Sequence, residues 1–194
     1  MSNIVIIQGH PDPSGKRYCH ALAEAYMKGA REAGHKVTYC DLGQLEFPLL
    51  RTEEDWKTGV SGTPECLKPI QAAALEADHF VFIYPLWMGT MPALLKAFLE
   101  QVFRPGVALK YEAGFPKGML AGTSARIIIT MGMPAIAYRW YFFAHSLKSF
   151  ERNILGLVGI RPIRSTLLGM IDSVDKAKRE KWLADTEALG RAAR

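Results

Sequence analysis

Five short runs rich in β-branched and aromatic residues constrain the fold more than anything else in this chain. They are IVIIQ (Ile4–Gln8), KVTYC (Lys36–Cys40), HFVFIY (His79–Tyr84), RIIIT (Arg126–Thr130) and RPIRSTLLG (Arg161–Gly169). Most are apolar almost without a break. A strand with one wet face alternates, whereas a continuous run belongs to a strand covered on both faces. Between the runs lie segments of helical period. RYCHALAEAYMKGAREAG sets Leu22, Tyr26 and Ala30 on one stripe and stops at Gly34. PECLKPIQAAALEAD, MPALLKAFLEQVF, AHSLKSFERNILGLVG and VDKAKREKWLADTEALGRAAR follow, and Pro92 is tolerated in the first turn of its helix. Five strand–helix repeats imply a doubly wound α/β fold. Right-handed crossovers admit a three-layer sandwich around a five-stranded parallel sheet of order 2-1-3-4-5.

Two connections, Leu42 to Thr63 and Pro105 to Ser124, read as long loops, the second rich in glycine. Loops of that length in a compact domain are functional or disordered. No repeat or linker divides the chain, so residues 1–194 are expected to form one domain. An apolar fraction of 49% with 22% charged residues suits a packed globular chain. The net charge of +5 favours an anionic ligand or an acidic partner, or reflects a basic solvated surface. Without a basic stripe interleaved with aromatics, nucleic acid is not an expected partner. Cys19, Cys40 and Cys66 are odd in number and widely spaced, which fits neither a disulfide framework nor a zinc site. MSNIVIIQGHPDP reads as a first core strand, not a signal peptide, and no apolar segment reaches the roughly 18 residues of a membrane span. A cytoplasmic location is expected.

In this topology ligands collect beyond the carboxyl ends of the strands, so the loops at Gly9, Pro85 and Met131 hold the candidate site. The first, QGHPDPSGKRYCHAL, has neither GxGxxG nor GxxxxGK[ST]. It offers His10, Ser14, Lys16, Arg17 and the amides of Tyr18 and Cys19 at a helix start. That is either a phosphate site or a capped helix behind a solvated loop. The second, YPLWMGTMPALLKAF, places Trp87 as a flat wall, with Pro85 and Pro92 stiffening the loop and Gly89 admitting backbone. Trp87 read alone is equally a core or interface residue. The third, TMGMPAIAY, brings Thr130 and Gly132, then Tyr138, with His145 beyond. There is no GxSxG elbow and no HExxH, and Asp12, Asp41 and Glu46 are isolated carboxylates. With no metal site and no obvious nucleophile, the chemistry points to a bound cofactor.

Three motifs together carry a resemblance: GHPDPS after the first run, YPLWMGTMPALLKAFLEQVFRPGVALKY around the third, and TMGMP with Tyr138 after the fourth. The chain resembles the flavodoxin-like NAD(P)H:quinone oxidoreductases, which include mammalian quinone reductases and their shorter bacterial relatives. The likeness covers nearly the whole chain, and its middle motif is the specific one. It implies a flavin, FMN with FAD as the alternative, NAD(P)H as hydride donor, and two-electron reduction of a quinone by ping-pong transfer. His10, Ser14, Arg17, Tyr18 and Cys19 would surround the flavin phosphate. Pro85, Leu86, Trp87, Met88 and Gly89 would contact the ring, joined by Thr130, Met131 and Gly132. Tyr138 and His145, the latter with a one-residue offset, match a Tyr and His that stabilise the reduced flavin. Tyr111 falls where relatives place an aromatic over the substrate. The chain departs from the family at Tyr18-Cys19, where relatives often have Phe-Asn, and at Met133 in place of a glycine. Relatives are commonly homodimers, and PAIAYRWYFFAH is apolar enough for such a contact. The alternative implied function is an ancillary regulatory subunit of a glutathione-gated potassium efflux antiporter. An electron-transfer flavodoxin fits less well, because those proteins are acidic and lack the long loops.

Overall fold

The five apolar runs become five parallel strands in a computed structural model that describes residues 1–194. They are β1 (Asn3–Gln8), β2 (Lys36–Asp41), β3 (His79–Pro85), β6 (Ser124–Thr130) and β7 (Ile163–Leu168), in the order β2-β1-β3-β6-β7. Numbered among themselves, this is the 2-1-3-4-5 order expected. The three central strands are buried along almost their whole length, whereas the edge strands β2 and β7 are only half covered.

Alternation along each strand divides the core in two. Ile4, Ile6, Val81, Ile83, Ile128 and Leu168 face one layer, made of α1 (Tyr18–Glu32) and α7 (Lys176–Arg191). Val5, Ile7, Phe80, Phe82, Tyr84, Ile127 and Ile129 face the other. That layer holds α3 (Lys68–Leu75), α4 (Ala93–Val102), α5 (Ala135–Trp140) and α6 (His145–Ser149). The crossing of α1 over α7 depends on two glycines. A Cβ on Gly29 would lie 2.0 Å from the Glu187 carbonyl oxygen, and one on Gly190 would lie 2.1 Å from that of Tyr26.

Four segments differ from the sequence reading, each for a local reason. The stretch Pro105–Ser124 is not a plain loop but holds an antiparallel hairpin, β4 (Leu109–Glu112) with β5 (Phe115–Gly118). Its turn residues Ala113 and Gly114 both have positive φ, the two-residue turn that matches strand twist. The segment expected as one helix from Ala144 to Gly159 is α6 followed by a π-helical turn at Phe150–Leu155. The wider turn brings Leu155 to the core beneath Phe150, where an α-helical spacing would have brought Ile154. Helix α3 starts at Lys68, because Pro69 fits only a first turn. PAIAYRWYFFAH is neither plain loop nor core: it forms α5 and the turn after it, with Trp140 70% and Tyr141 77% exposed.

The connection after β2 carries the short helix α2 (Glu53–Lys57) and is fastened by a buried arginine. Arg104 donates to Gln101 Oε1 (2.6 Å), the Asp55 carbonyl (2.5 Å) and Thr58 Oγ1 (2.9 Å). Gln101 in turn donates to the Pro48 carbonyl at 2.6 Å. The helix crossing gives the first test. Gly29→Ala forces α1 and α7 apart and is expected to cost about 1–3 kcal/mol, as overpacking does. A lower urea midpoint with an unchanged slope is the expected readout.

Candidate active site

A cleft of about 350 Å³ opens at the carboxyl edge of β1, β3 and β6. Its lining contains His10, Arg17, Tyr18, Cys19, Pro85, Leu86, Trp87, Thr130, Met131 and Gly132, all expected from the sequence. Ile171 and Asp172 complete it. These two escaped the sequence reading, which stopped at the loops after β1, β3 and β6. The signal available was topological: β7 neighbours β6, so the loop after it leaves from the same edge.

On one side α1 begins without an acidic residue in its first turn and with no side-chain oxygen capping it. The Tyr18 and Cys19 amides occupy the first two helical positions and have no acceptor within the helix. Arg17, just before them, pairs with Asp12 (Nε to Oδ2, 2.5 Å). The Ser14 amide and hydroxyl, then Arg17, hold the Asp12 carboxyl well below its usual range. Cys19 Sγ lies 3.3 Å from Thr130 Oγ1, and the Tyr18 hydroxyl donates to the Arg179 carbonyl at 2.7 Å. The helix start is thereby fixed to β6 and to α7. Burial pushes the Cys19 thiol up to about 12 and the Tyr18 phenol likewise to about 12.

On the other side Trp87 to Thr90 forms a tight turn, with Trp87 and Thr90 exchanging amide–carbonyl bonds of 2.9 and 3.0 Å. Met88 and Gly89 at its tip both have positive φ, 48° and 80°. Gly89 is therefore required first by the turn. The Leu86 amide is spent on the Thr130 carbonyl at 2.8 Å, while Met88 and Gly89 donate no backbone bond. His10 stands edge-on to Trp87, with ring centroids 5.4 Å apart. Burial, then the neighbouring His20 and Arg17, lowers the His10 pKa below its ordinary value, so the ring is neutral at pH 7.

Other expected residues lie elsewhere. Ser14 is on the exposed loop beside the cleft. Met88 lines a second cleft of about 510 Å³ on the far side of Trp87, together with Lys96, Ser146, Ser149 and Phe150. Tyr138 is 2% exposed and lines neither cleft. Its hydroxyl sits 2.7 Å from Ser146 Oγ and accepts from the Leu147 amide at 3.1 Å. It therefore reaches the second cleft only through Ser146. His145 is exposed and packs against Phe143, with ring centroids 5.8 Å apart, so the structure does not bring it to Tyr138's hydroxyl. Tyr111 is exposed on the β4–β5 hairpin.

Chemically, the first cleft joins an anion site at a helix start to a flat apolar wall with unspent amides. An observation unrelated to any relative supports a phosphate there: the helix start lacks both the acid and the capping oxygen that ordinarily satisfy it. The protein comparisons agree. A model of the family described as having a flavodoxin-like fold matches residues 2–189. A protein of Haemophilus influenzae, described as an uncharacterized NAD(P)H oxidoreductase, is 30% identical over 183 residues, covering 93% of this chain and 90% of its own length. An FMN-dependent NADH:quinone oxidoreductase of Trichormus variabilis is 27% identical, covering 96% and 95%. Among solved structures, an NAD(P)H:quinone oxidoreductase from Methanothermobacter marburgensis superposes with a TM-score of 0.81 at 26% identity, covering 98% of each chain.

The burial of the thiols sets a second test. Cys19 and Cys40 are buried and burial pushes both up to about 12, while Cys66 is exposed. Titration of the native protein with an aromatic disulfide reagent at mildly alkaline pH should count one thiol rapidly, and three after denaturation.

Proposed function

We propose that this chain, which belongs to the family of the flavodoxin-like fold, is an FMN-dependent oxidoreductase that passes electrons from NAD(P)H to a quinone or similar acceptor. The observation that carries this reading is the joining, in one cleft, of an unsatisfied helix start beside Arg17 to the Trp87 wall. The relatives' descriptions as NAD(P)H and FMN-dependent quinone oxidoreductases support it. FMN, when bound, supplies the ability to take a hydride from a nicotinamide and return an electron pair to a quinone.

The chain's own contributions are binding and orientation. Arg17, with the amides of Tyr18 and Cys19, holds the phosphate, and Ser14 flanks it. Pro85, Leu86 and Trp87 form the wall of the ring site, with His10 braced against Trp87. The amides of Met88 and Gly89, unspent in the turn, donate to the ring edge, where charge grows on reduction. Thr130, Met131 and Gly132 close the opposite side. Tyr138 acts from behind: its hydroxyl and that of Ser146 hold a proton at the wall of the second cleft. His145 and Tyr111, both exposed, serve the acceptor side of the site. Donor and acceptor use one pocket in turn, so initial-velocity lines should be parallel; intersecting lines would argue against shared occupancy.

The protein works as a single domain and pairs with a second copy. The aromatic surface of Ile136, Trp140, Tyr141, Phe142 and Phe143 supports that pairing. A cytoplasmic place is supported by three unpaired cysteines, and no helix is long and apolar enough to cross a membrane. No observation favours an ancillary transporter subunit.

The direct test is a visible spectrum of the purified protein, alone and after reconstitution with FMN, followed by anaerobic NADH. Flavin bands that bleach with NADH are expected; failure to retain flavin after reconstitution would sink the reading. Arg17→Ala should weaken FMN binding about 10-fold or more, the loss of one charge-assisted bond of ~1.5–3 kcal/mol. Flavin fluorescence on titration measures it.

A further inference from the structure

At the opposite end of the sheet, beneath α1 and α7, two buried side chains carry N–H groups that meet no acceptor. Arg126 of β6 is 8% exposed and His79 of β3 is 2% exposed. His79 pairs in register with Ser124, so Arg126 stands two residues further along the neighbouring strand, on the same face. That diagonal spans about 7–8 Å, within reach of a long side chain. Arg126 donates from Nη1 to Thr166 Oγ1 at 3.2 Å, while its Nε has no partner. His79 Nδ1 lies 2.7 Å from Ser124 Oγ, and its Nε2 has no partner either. The Ser124 hydroxyl has one hydrogen, and the Asp78 carbonyl competes for it at 3.4 Å. The shorter contact takes it, which leaves Nδ1 of His79 as the acceptor and Nε2 as the N–H.

The charge is as unmatched as the hydrogens. A guanidinium stays protonated when buried, so Arg126 keeps its positive charge there. Tyr26 and Arg164 are the groups that act on it, and no carboxylate is among them. Arg164 pairs with Arg126 in register on β7 and adds a second cation. The groups acting on His79 are Arg126, Arg164 and His35, again without a carboxylate. Tyr26 stacks over His79 with centroids 6.3 Å apart and directs its hydroxyl to the Arg194 carbonyl at 3.4 Å. Every side chain facing this point is a donor, a cation or an aromatic ring.

We propose that a small inorganic anion, a halide or phosphate, binds between Arg126 Nε and His79 Nε2 and supplies the missing acceptor and countercharge. The site is separate from the cleft: Arg126 precedes Thr130 by four residues, about 13 Å along the strand. Its occupation ties β3, β6 and β7 together at the end of the sheet that the cleft does not use, so the anion acts on stability.

Two measurements test this on the full chain. Crystals grown in bromide should show an anomalous peak in contact with Arg126 and His79. A water molecule there, or the Arg194 carboxylate lying on Arg126, would overturn the proposal. In solution, bromide and phosphate are titrated separately, with potassium gluconate holding the ionic strength constant. Tm should rise saturably, by about 3–6 °C at tenfold the half-saturating concentration. A response to bromide alone identifies a halide site, and to phosphate alone an oxyanion site. Arg126→Met keeps the volume and removes the charge, an exchange that buried sites commonly tolerate. It should abolish the rise; an equal rise in wild type and variant would refute a specific site. Should the variant fail to fold, the bromide peak decides the matter.

Discussion

The cleft exists because the sheet's hydrogen-bonding ladder runs past the ends of its strands. The Gly9 amide donates to the Ile83 carbonyl at 2.7 Å, Leu86 to Thr130 at 2.8 Å and Met131 to Leu168 at 2.9 Å. Ile171, beyond β7, returns to the Met131 carbonyl at 3.1 Å. Each loop therefore leaves from a residue already fixed to its neighbour. A parallel ladder bonds every strand to the next in one direction, so such a series can form along a whole edge. The side chains of His10, Trp87, Thr130 and Asp172 are held near one another by backbone bonds more than by contacts of their own.

From that edge, the two walls acquire different characters through simple local causes. The α1 wall is polar because a helix must begin there and its first amides point outward. Cys19 and Tyr18 then anchor it through contacts to Thr130 and Arg179 that only the folded chain brings together. The β3 wall is apolar because Pro85 and Leu86 continue a wholly buried strand before the chain reverses at Trp87. The far end of the sheet has no such division. There Arg126 and His79 lie beneath two helices whose crossing, fixed by Gly29 and Gly190, leaves no room for an acidic side chain to be found among their partners.

The layers and strand order were legible because they depend on composition over whole segments, as in HFVFIY, whose residues are all buried. The cleft was legible where it depends on topology, since ten of its lining residues follow from knowing which strand ends are adjacent. What escaped depends on geometry that spacing does not encode. The hairpin required reading Ala113-Gly114 as a turn between KYE and FPK, a weaker signal than Asn-Gly. The π turn shows only as a five-residue gap between Phe150 and Leu155 in an otherwise three- and four-residue pattern. Tyr138 was placed by motif at a reacting centre, but its hydroxyl is directed at Ser146, because α5 turns back at Trp140 and α6 packs across it. A motif specifies which residue is present; the turn after it decides where the side chain points.

The distribution of backbone strain is consistent with this division. Six residues other than glycine have positive φ. Met88 follows β3, Met170 follows β7, and Phe143 and Ala144 join α5 to α6, so four of the six lie at the carboxyl end of the sheet. Side chains in this region cost about 1–2 kcal/mol each. No comparable residue falls within the five strands or at their amino ends, where only packing is at stake. Folding alone would be served by glycine or a longer loop at each point. Met88 and Met170 instead keep their side chains where tight turns must present them, one lining the second cleft and the other in the loop that delivers Asp172 to the first. Strain retained at the rim and absent from the frame is the pattern expected when the rigid sheet holds loops whose shape is set by what they bind.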